Sequence, residues 1–241
     1  MKVLAINASP HMGKGNTALV LDPFVEGLRD AGAEVELLYS RKLDIKPCLG
    51  CFGCWVKTPG VCVQKDDMAP LLPKLREADI WVFATPVYFD AVSGPLKNLI
   101  DRMTPFLRLF AEVRDGHSRH LVEEGHKDGK VALVSNCGLW EIDNFDALLV
   151  HLKAACKHVE REFAGALLRP HGGTLRDLLR KGEPVDDVLD AAKEAGRQLV
   201  RDGEMSPGTL SIVGRELISL EEYIQNMNQV AQQLLSELKK K

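Results

Sequence analysis

Cys48, Cys51, Cys54 and Cys62 fall within the string PCLGCFGCWVKTPGVC, four thiols in a span so short that only shared chemistry asks for them. The spacing C-x2-C-x2-C-x7-C carries three thiolates round a tight loop in three-residue steps. It returns the fourth after a turn at Pro59-Gly60. One cubane iron-sulfur cluster takes four such ligands. Cys62 is followed by Val63 and not by the proline that goes with sharing between two clusters, so the four would serve one. Structural zinc stays open as a second reading, although its usual signature is two separated C-x2-C pairs, and redox-active or unmetallated thiols are a third. A disulfide framework fits poorly. Met1 to Ser9 does not read as a secretory leader, and six cysteines in 241 residues is not disulfide density, so the expectation is a cytoplasmic chain with reduced thiols.

A second constellation lies in Ala8-Ser9-Pro10-His11-Met12-Gly13-Lys14-Gly15-Asn16-Thr17, between an apolar run and a helical pattern. A helix N-terminus that follows a strand offers unpaired N–H groups and a positive dipole end to an anion. The run departs from the nucleotide triphosphate pattern because Gly15 follows Lys14. It departs from G-x-G-x-x-G because Ala18 stands at the last glycine. The hydroxyls of Ser9 and Thr17 with the Asn16 amide suit a terminal phosphate dianion, such as the tail of FMN, better than a bridging pyrophosphate. Thr85-Pro86-Val87-Tyr88-Phe89 adds aromatic residues able to flank a planar ring, and Ser135-Asn136-Cys137-Gly138 adds a polar turn.

Regular elements must bring these loops together. Apolar runs at 2–7, 34–39, 80–84, 131–135 and 162–167 read as strands, and periodic segments at 17–31, 67–77, 95–103 and 145–158 read as helices. Strict alternation with apolar strands predicts a doubly wound α/β fold, a parallel sheet with helices on both faces. Ligands of such sheets bind at the carboxyl edge, where all three loops fall. Segments 108–129 and 169–183 have weak periodicity and read as excursions. His117, His120 and His126, with Glu123 and Glu124, read as a solvated loop and not as a metal site. Residues 185–201 and 219–240 read as amphipathic helices, the latter with Ile224, Met227, Ala231 and Leu235 on one face, while Lys239, Lys240 and Lys241 read as a solvated terminus. Net charge is −3 and no apolar run approaches a bilayer span, which argues against nucleic-acid and membrane partners.

Four stretches, namely Ser9-Pro10 to Asn16-Thr17, the cysteine run with Asp66-Asp67-Met68, Thr85 to Tyr88, and Gly94-Pro95-Leu96-Lys97 to Asp101-Arg102, together resemble the flavodoxin-like NAD(P)H-dependent FMN reductases, and among them the iron-sulfur flavoproteins. The resemblance runs from Met1 to about Trp140. It implies a flavodoxin-like five-stranded sheet of order 2-1-3-4-5, FMN at its carboxyl edge and a 4Fe-4S cluster on the cysteine loop after the second strand. Carried over, Ser9, His11, Gly13, Asn16 and Thr17 bind the phosphate and ribityl chain, and Pro86, Val87, Tyr88 and Phe89 line the ring. Asn136 and Gly138 contribute from the next loop. His11 stands where the family usually carries a base, so Lys14 is the expected cation. No residue is assigned a catalytic proton transfer.

The implied activity is an FMN-dependent oxidoreductase or electron-transfer flavoprotein, fed by NAD(P)H or a ferredoxin-like protein and working as a homodimer or homotetramer. Two further readings are a cluster-free FMN or quinone reductase with a thiol or zinc loop, and a non-catalytic flavodoxin-type carrier. On this reading residues 1–168 form the FMN domain, including the loop 47–66. Residues 169–241 form a helical extension on the core or on a partner subunit, and nothing in the C-terminal hundred residues is assigned to the site.

Overall fold

The computed structural model describes Met1 to Leu238, so the expectation for Lys239, Lys240 and Lys241 lies outside the described residues. Strands β1 (Lys2–Asn7), β2 (Glu34–Tyr39), β3 (Ile80–Pro86), β6 (Lys130–Asn136) and β7 (Glu162–Arg169) form one parallel sheet. Its order is β2-β1-β3-β6-β7, which is 2-1-3-4-5 when the sheet strands alone are counted. The remaining pair, β4 (Leu107–Arg114) and β5 (His117–Val122), is an antiparallel hairpin outside the sheet.

The period-two alternation of the strands sorts side chains to two cores. Val3, Ala5, Val82 and Ala84 face α1 (Asn16–Asp30), α6 (Gly172–Lys181) and α7 (Asp186–Arg201). Leu4, Ile6, Trp81, Phe83, Val131 and Leu133 face α3 (Met68–Glu77), α4 (Gly94–Asp101) and α5 (Asp146–His158). Because β3 and β6 are buried on both faces, they read as unbroken apolar runs. α7 lies directly on α1: a Cβ on Gly27 would strike the Lys193 carbonyl, and one on Gly196 would strike Phe24, so backbone approaches backbone. Ala191, Ala192 and Ala195 fill the rest of that seam, and Lys193 and Arg197 bond Asp30 at its rim.

Two segments differ from their sequence reading. Residues 107–122 are a regular hairpin and not an irregular solvated loop. Its turn, Asp115-Gly116 with φ of 53° and 74°, is the Asp-Gly signal of a two-residue hairpin, hidden by strands too polar to show a core face. His120 is not simply solvated, since its ring lies 4.5 Å from that of Trp55. Glu123 bonds Arg76 and Glu124 bonds Arg108. The second segment, 172–181, is a helix, capped at Gly182 in the left-handed conformation. Beyond it, α8 (Pro207–Gly214) and α9 (Leu220–Leu238) follow, and α9 keeps only Tyr223 buried. No helix among the described residues is long and apolar enough to cross a membrane.

Candidate functional site

The carboxyl ends of β1, β3 and β6 bring three loops to one edge, and a buried polar lattice fixes them. Asn136 is its hub. Its Oδ1 accepts the Thr17 hydroxyl at 2.5 Å, and its carbonyl accepts the Val87 N–H at 2.9 Å. Ser93 Oγ donates to the Ala8 carbonyl, Thr85 Oγ1 accepts from the Ser93 N–H, and Ser135 Oγ donates to the Thr85 carbonyl. All of these residues but the half-buried Val87 are nearly or wholly buried, so their bonds are costly to lose.

This lattice redistributes the expected roles. Thr17 has spent its hydroxyl proton on Asn136, so what it offers a phosphate is its backbone N–H at the start of α1. That N-terminus carries no side-chain cap. Ser9 Oγ accepts from the His11 N–H, which leaves its own proton free to donate. Gly15 is required by close approach, since a Cβ there would sit 2.6 Å from Ser9 Oγ. Lys14 and His11 are exposed, and Gly13 lies beside the Tyr39 hydroxyl.

The C-terminal hundred residues, to which the sequence assigned no site residue, reach this edge. Arg176, on α6, donates from Nε to Asn16 Oδ1 at 2.5 Å and from Nη2 to the Lys14 carbonyl at 2.8 Å. Its guanidinium thus braces the loop 160 residues away in sequence, and it brings a fixed positive charge to the candidate anion loop. No local signal marks Arg176. Gly172 packs on Asn136 and Asn16, where a Cβ would lie 3.0 Å from Asn136 Nδ2. Tyr223 of α9 donates its hydroxyl to the Gly138 carbonyl at 2.7 Å.

The ring-side loop is shaped differently. Pro86 is buried as the last residue of β3, beyond the expected strand end, and Val87 is half-buried. Tyr88 and Ala91 exchange two backbone bonds round a tight turn in which Phe89 and Asp90 have φ of 46° and 60°. That turn throws the Phe89 ring fully into solvent and leaves Tyr88 about half exposed. Two exposed aromatic side chains therefore stand at this edge of the sheet. Cys137, on the next loop, is buried, and burial raises its pKa, so it packs as a small hydrophobe.

The four cysteine side chains line one small cavity together with Arg102 and Pro105. The loop is pinned at its ends by Gln64 to the Pro47 carbonyl and by the Gly60 N–H to the Cys54 carbonyl. Below it, Arg102 makes a bidentate pair with Asp66 at 2.7 and 2.9 Å, and it also donates to the Lys46 carbonyl. Both ionic side chains are out of solvent. Burial, followed by the neighbouring Cys62 and then Cys48 and Cys51, raises the Cys54 pKa, which favours its neutral thiol. Four thiols are the donor type that a cluster takes. No three His, Cys, Asp or Glu among the described residues stand close enough to hold a single metal ion.

The sequence matches the family model for NADPH-dependent FMN reductase over residues 1–135, more than half of the chain. The chain belongs to the NADPH-dependent FMN reductase family. Relatives of the family member include an iron-sulfur flavoprotein of Archaeoglobus fulgidus, 45% identical over 42% of this chain and 48% of that one. A second, from Methanocaldococcus jannaschii, is 37% identical over 48% of this chain and 58% of the other. The chain therefore spans about half the length of the curated relatives it matches. In fold it is similar to an FMN-dependent NADH-azoreductase of Bacillus anthracis solved with FMN, at 17% identity and a TM-score of 0.60, covering 83% of this chain and 99% of that one.

Proposed function

We propose that the protein is an FMN-dependent oxidoreductase of the iron-sulfur flavoprotein branch, with a 4Fe-4S cluster on Cys48, Cys51, Cys54 and Cys62. The observation that carries it is the edge itself. An uncapped helix N-terminus, a donating Ser9, an Arg176 cation and the unpartnered Tyr88 and Phe89 rings lie round one lattice centred on Asn136. A phosphate at one end and a planar ring at the other is what that arrangement accommodates. The thiol cavity and the names of the curated relatives support the cluster.

In this reading the backbone N–H groups of Asn16 and Thr17, with Ser9 and Gly13, hold the phosphate, and Arg176 and Lys14 balance its charge. His11 donates at the rim. Pro86, Val87, Tyr88 and Phe89 bound the ring, and Asn136 and Gly138 hold the third wall. When bound, FMN accepts a hydride and a cluster passes single electrons, so the pair joins two-electron to one-electron chemistry. The protein's part is binding, orientation and exclusion of water. The donor is NAD(P)H or a ferredoxin-like protein, and the working unit is a homodimer or homotetramer. Residues 1–168 carry the flavin and cysteine elements, and 169–241 close the site through Arg176 and Tyr223.

Anaerobic purification followed by a visible spectrum with iron, sulfide and zinc analysis tests both halves. Flavin bands over broad cluster absorption with about four irons per chain is the expected result. Flavin with zinc or without metal would leave the FMN half and overturn the cluster. No flavin uptake from added FMN would overturn the central reading.

A further inference from the structure

The α9 helix is tied to the rest of the molecule at one end only. Tyr223 is buried and gives its hydroxyl to the Gly138 carbonyl at the candidate flavin edge, whereas every residue from Ile224 to Leu238 is exposed. Leu220, Ile224, Met227, Ala231, Leu234 and Leu238 follow one another in alternating steps of four and three, the seam of a coiled coil. The large side chains of that seam are 41–69% exposed, and Val230 and Leu235 widen it. Gln225, Asn226, Gln229, Gln232 and Gln233 occupy the opposite face. A helix of about 15 residues with no packed face is marginal in water, so this seam needs a cover.

Shape, charge and area all point to a second copy. The seam is self-complementary when its mate runs antiparallel about residue 229: Leu220 then faces Leu238 of the other copy, Ile224 faces Leu234, and Met227 faces Ala231. The longest side chain so meets the smallest, whereas a parallel pair sets Ala231 on Ala231 and leaves a gap. From Leu220 to Leu238 the sequence carries Glu221, Glu222 and Glu237 and no base, and Lys239, Lys240 and Lys241 follow. Antiparallel copies bring Glu221 and Glu222 to the lysine end of the mate, with Glu237 flanking the other side of the seam; parallel copies set like charge against like. Seven half-exposed apolar side chains present on the order of 600 Å² per copy, against about 800 Å² that each partner gives a standard interface.

We propose that α9 is an interface between two copies of this chain, an antiparallel helix pair in which each helix is anchored by its Tyr223 beside its own candidate flavin edge. The two bodies then sit at opposite ends of a seam roughly 27 Å long, where neither obstructs the other. The proposal rests on the oligomer reading above for the existence of an assembly and names the surface that builds it. It depends neither on bound FMN nor on a cluster.

Sedimentation equilibrium of the purified full chain tests it. The parent should associate with a Kd of about 1 μM or tighter. Ile224→Lys and Leu234→Glu, each at an exposed seam position, should each weaken that association about tenfold or more, because either buries an unpaired charge in the pair. Gln229→Lys, which adds the same charge to the opposite face, should leave it unchanged. The double variant Ile224→Lys with Leu234→Glu sets Lys on Glu only in the antiparallel register, and it should associate about fivefold or more tighter than either single variant; a single variant that merely misfolds would not be rescued this way. A double variant no tighter than the singles would overturn the proposal, as would a Gln229→Lys loss equal to that of Ile224→Lys. A multimeric parent whose mass neither single variant lowers would overturn it alone, and a parent still monomeric at about 100 μM would overturn it together with the oligomer reading.

Discussion

Replacing Arg102 by Met should be among the more destabilising single changes in the first half of the chain. Arg102 and Asp66 have side chains 1% and 0% exposed, so the pair has no water to fall back on. Removing the cation leaves a buried carboxylate held only by the Lys46 and Met68 N–H groups. Breaking such a pair from one side costs about 3–5 kcal/mol. For a chain of this size that is a fall in Tm of roughly 6–20 °C. Urea unfolding followed by circular dichroism at pH 7 measures it. In the native protein burial works to raise the Asp66 pKa, but the bonds from Arg102, Lys46 and Met68 outweigh it and hold the group below its usual range. Asp66 therefore stabilises the fold above the carboxylate's unfolded pKa, and that contribution drains away as pH falls through the lower folded value. In Arg102→Met the lowering partner is gone, so the deficit should shrink as the pH drops and Asp66 takes a proton. The double variant Asp66→Leu with Arg102→Met should recover much of the loss. A single variant within about 1 kcal/mol of the parent at pH 7, or a double variant no better than the single, would refute the reasoning.

Four other outcomes follow from named contacts. Arg176→Ala should weaken FMN binding by roughly ten- to a hundredfold in a flavin-fluorescence titration, because one guanidinium both braces Asn16 and charges the anion site; unchanged affinity would remove Arg176 from the site. Gly15→Ala, whose Cβ would meet Ser9 Oγ at 2.6 Å, should lose flavin binding while keeping the native circular dichroism spectrum. Gly27→Ala should instead lower stability, by about 2–4 kcal/mol, since the added carbon displaces α7 and touches no candidate ligand. His171 is buried, and burial followed by Arg169 brings its pKa down to about 4. The unfolded chain takes the proton near pH 6.5 and the folded one only near 4, so unfolding free energy should hold above pH 6.5. It should fall by about 3 kcal/mol as pH drops toward 4, and His171→Phe should flatten that slope.

The sheet was legible because β1, β3 and β6 are buried on both faces and appear as apolar runs, although β3 continues past its run to Pro86 and β6 to Asn136. The same holds for the cysteine loop and the loop from Ser9 to Thr17, where residue type and spacing within twenty positions carry the chemistry. The hairpin at 107–122 was missed although Asp115-Gly116 announced it, since its strands cover an edge of the core and expose most of their side chains. The contacts of the C-terminal segment were illegible for a different reason. α6 shows no motif, and only the folded chain lays its Arg176 against Asn16, Tyr223 against Gly138, and Arg169 against the carbonyls of Val213 and Arg215.

Sequence alone determined the alternating elements, the thiol set and the candidate anion loop, because each depends on neighbours a few residues apart. Tertiary structure alone decided which hydroxyls remain free at that loop, where its fixed cation comes from, and that α9 keeps only Tyr223 buried. Those facts depend on hydrogen-bond partners and packing between segments a hundred or more residues apart, where chain geometry, and not local composition, sets who meets whom.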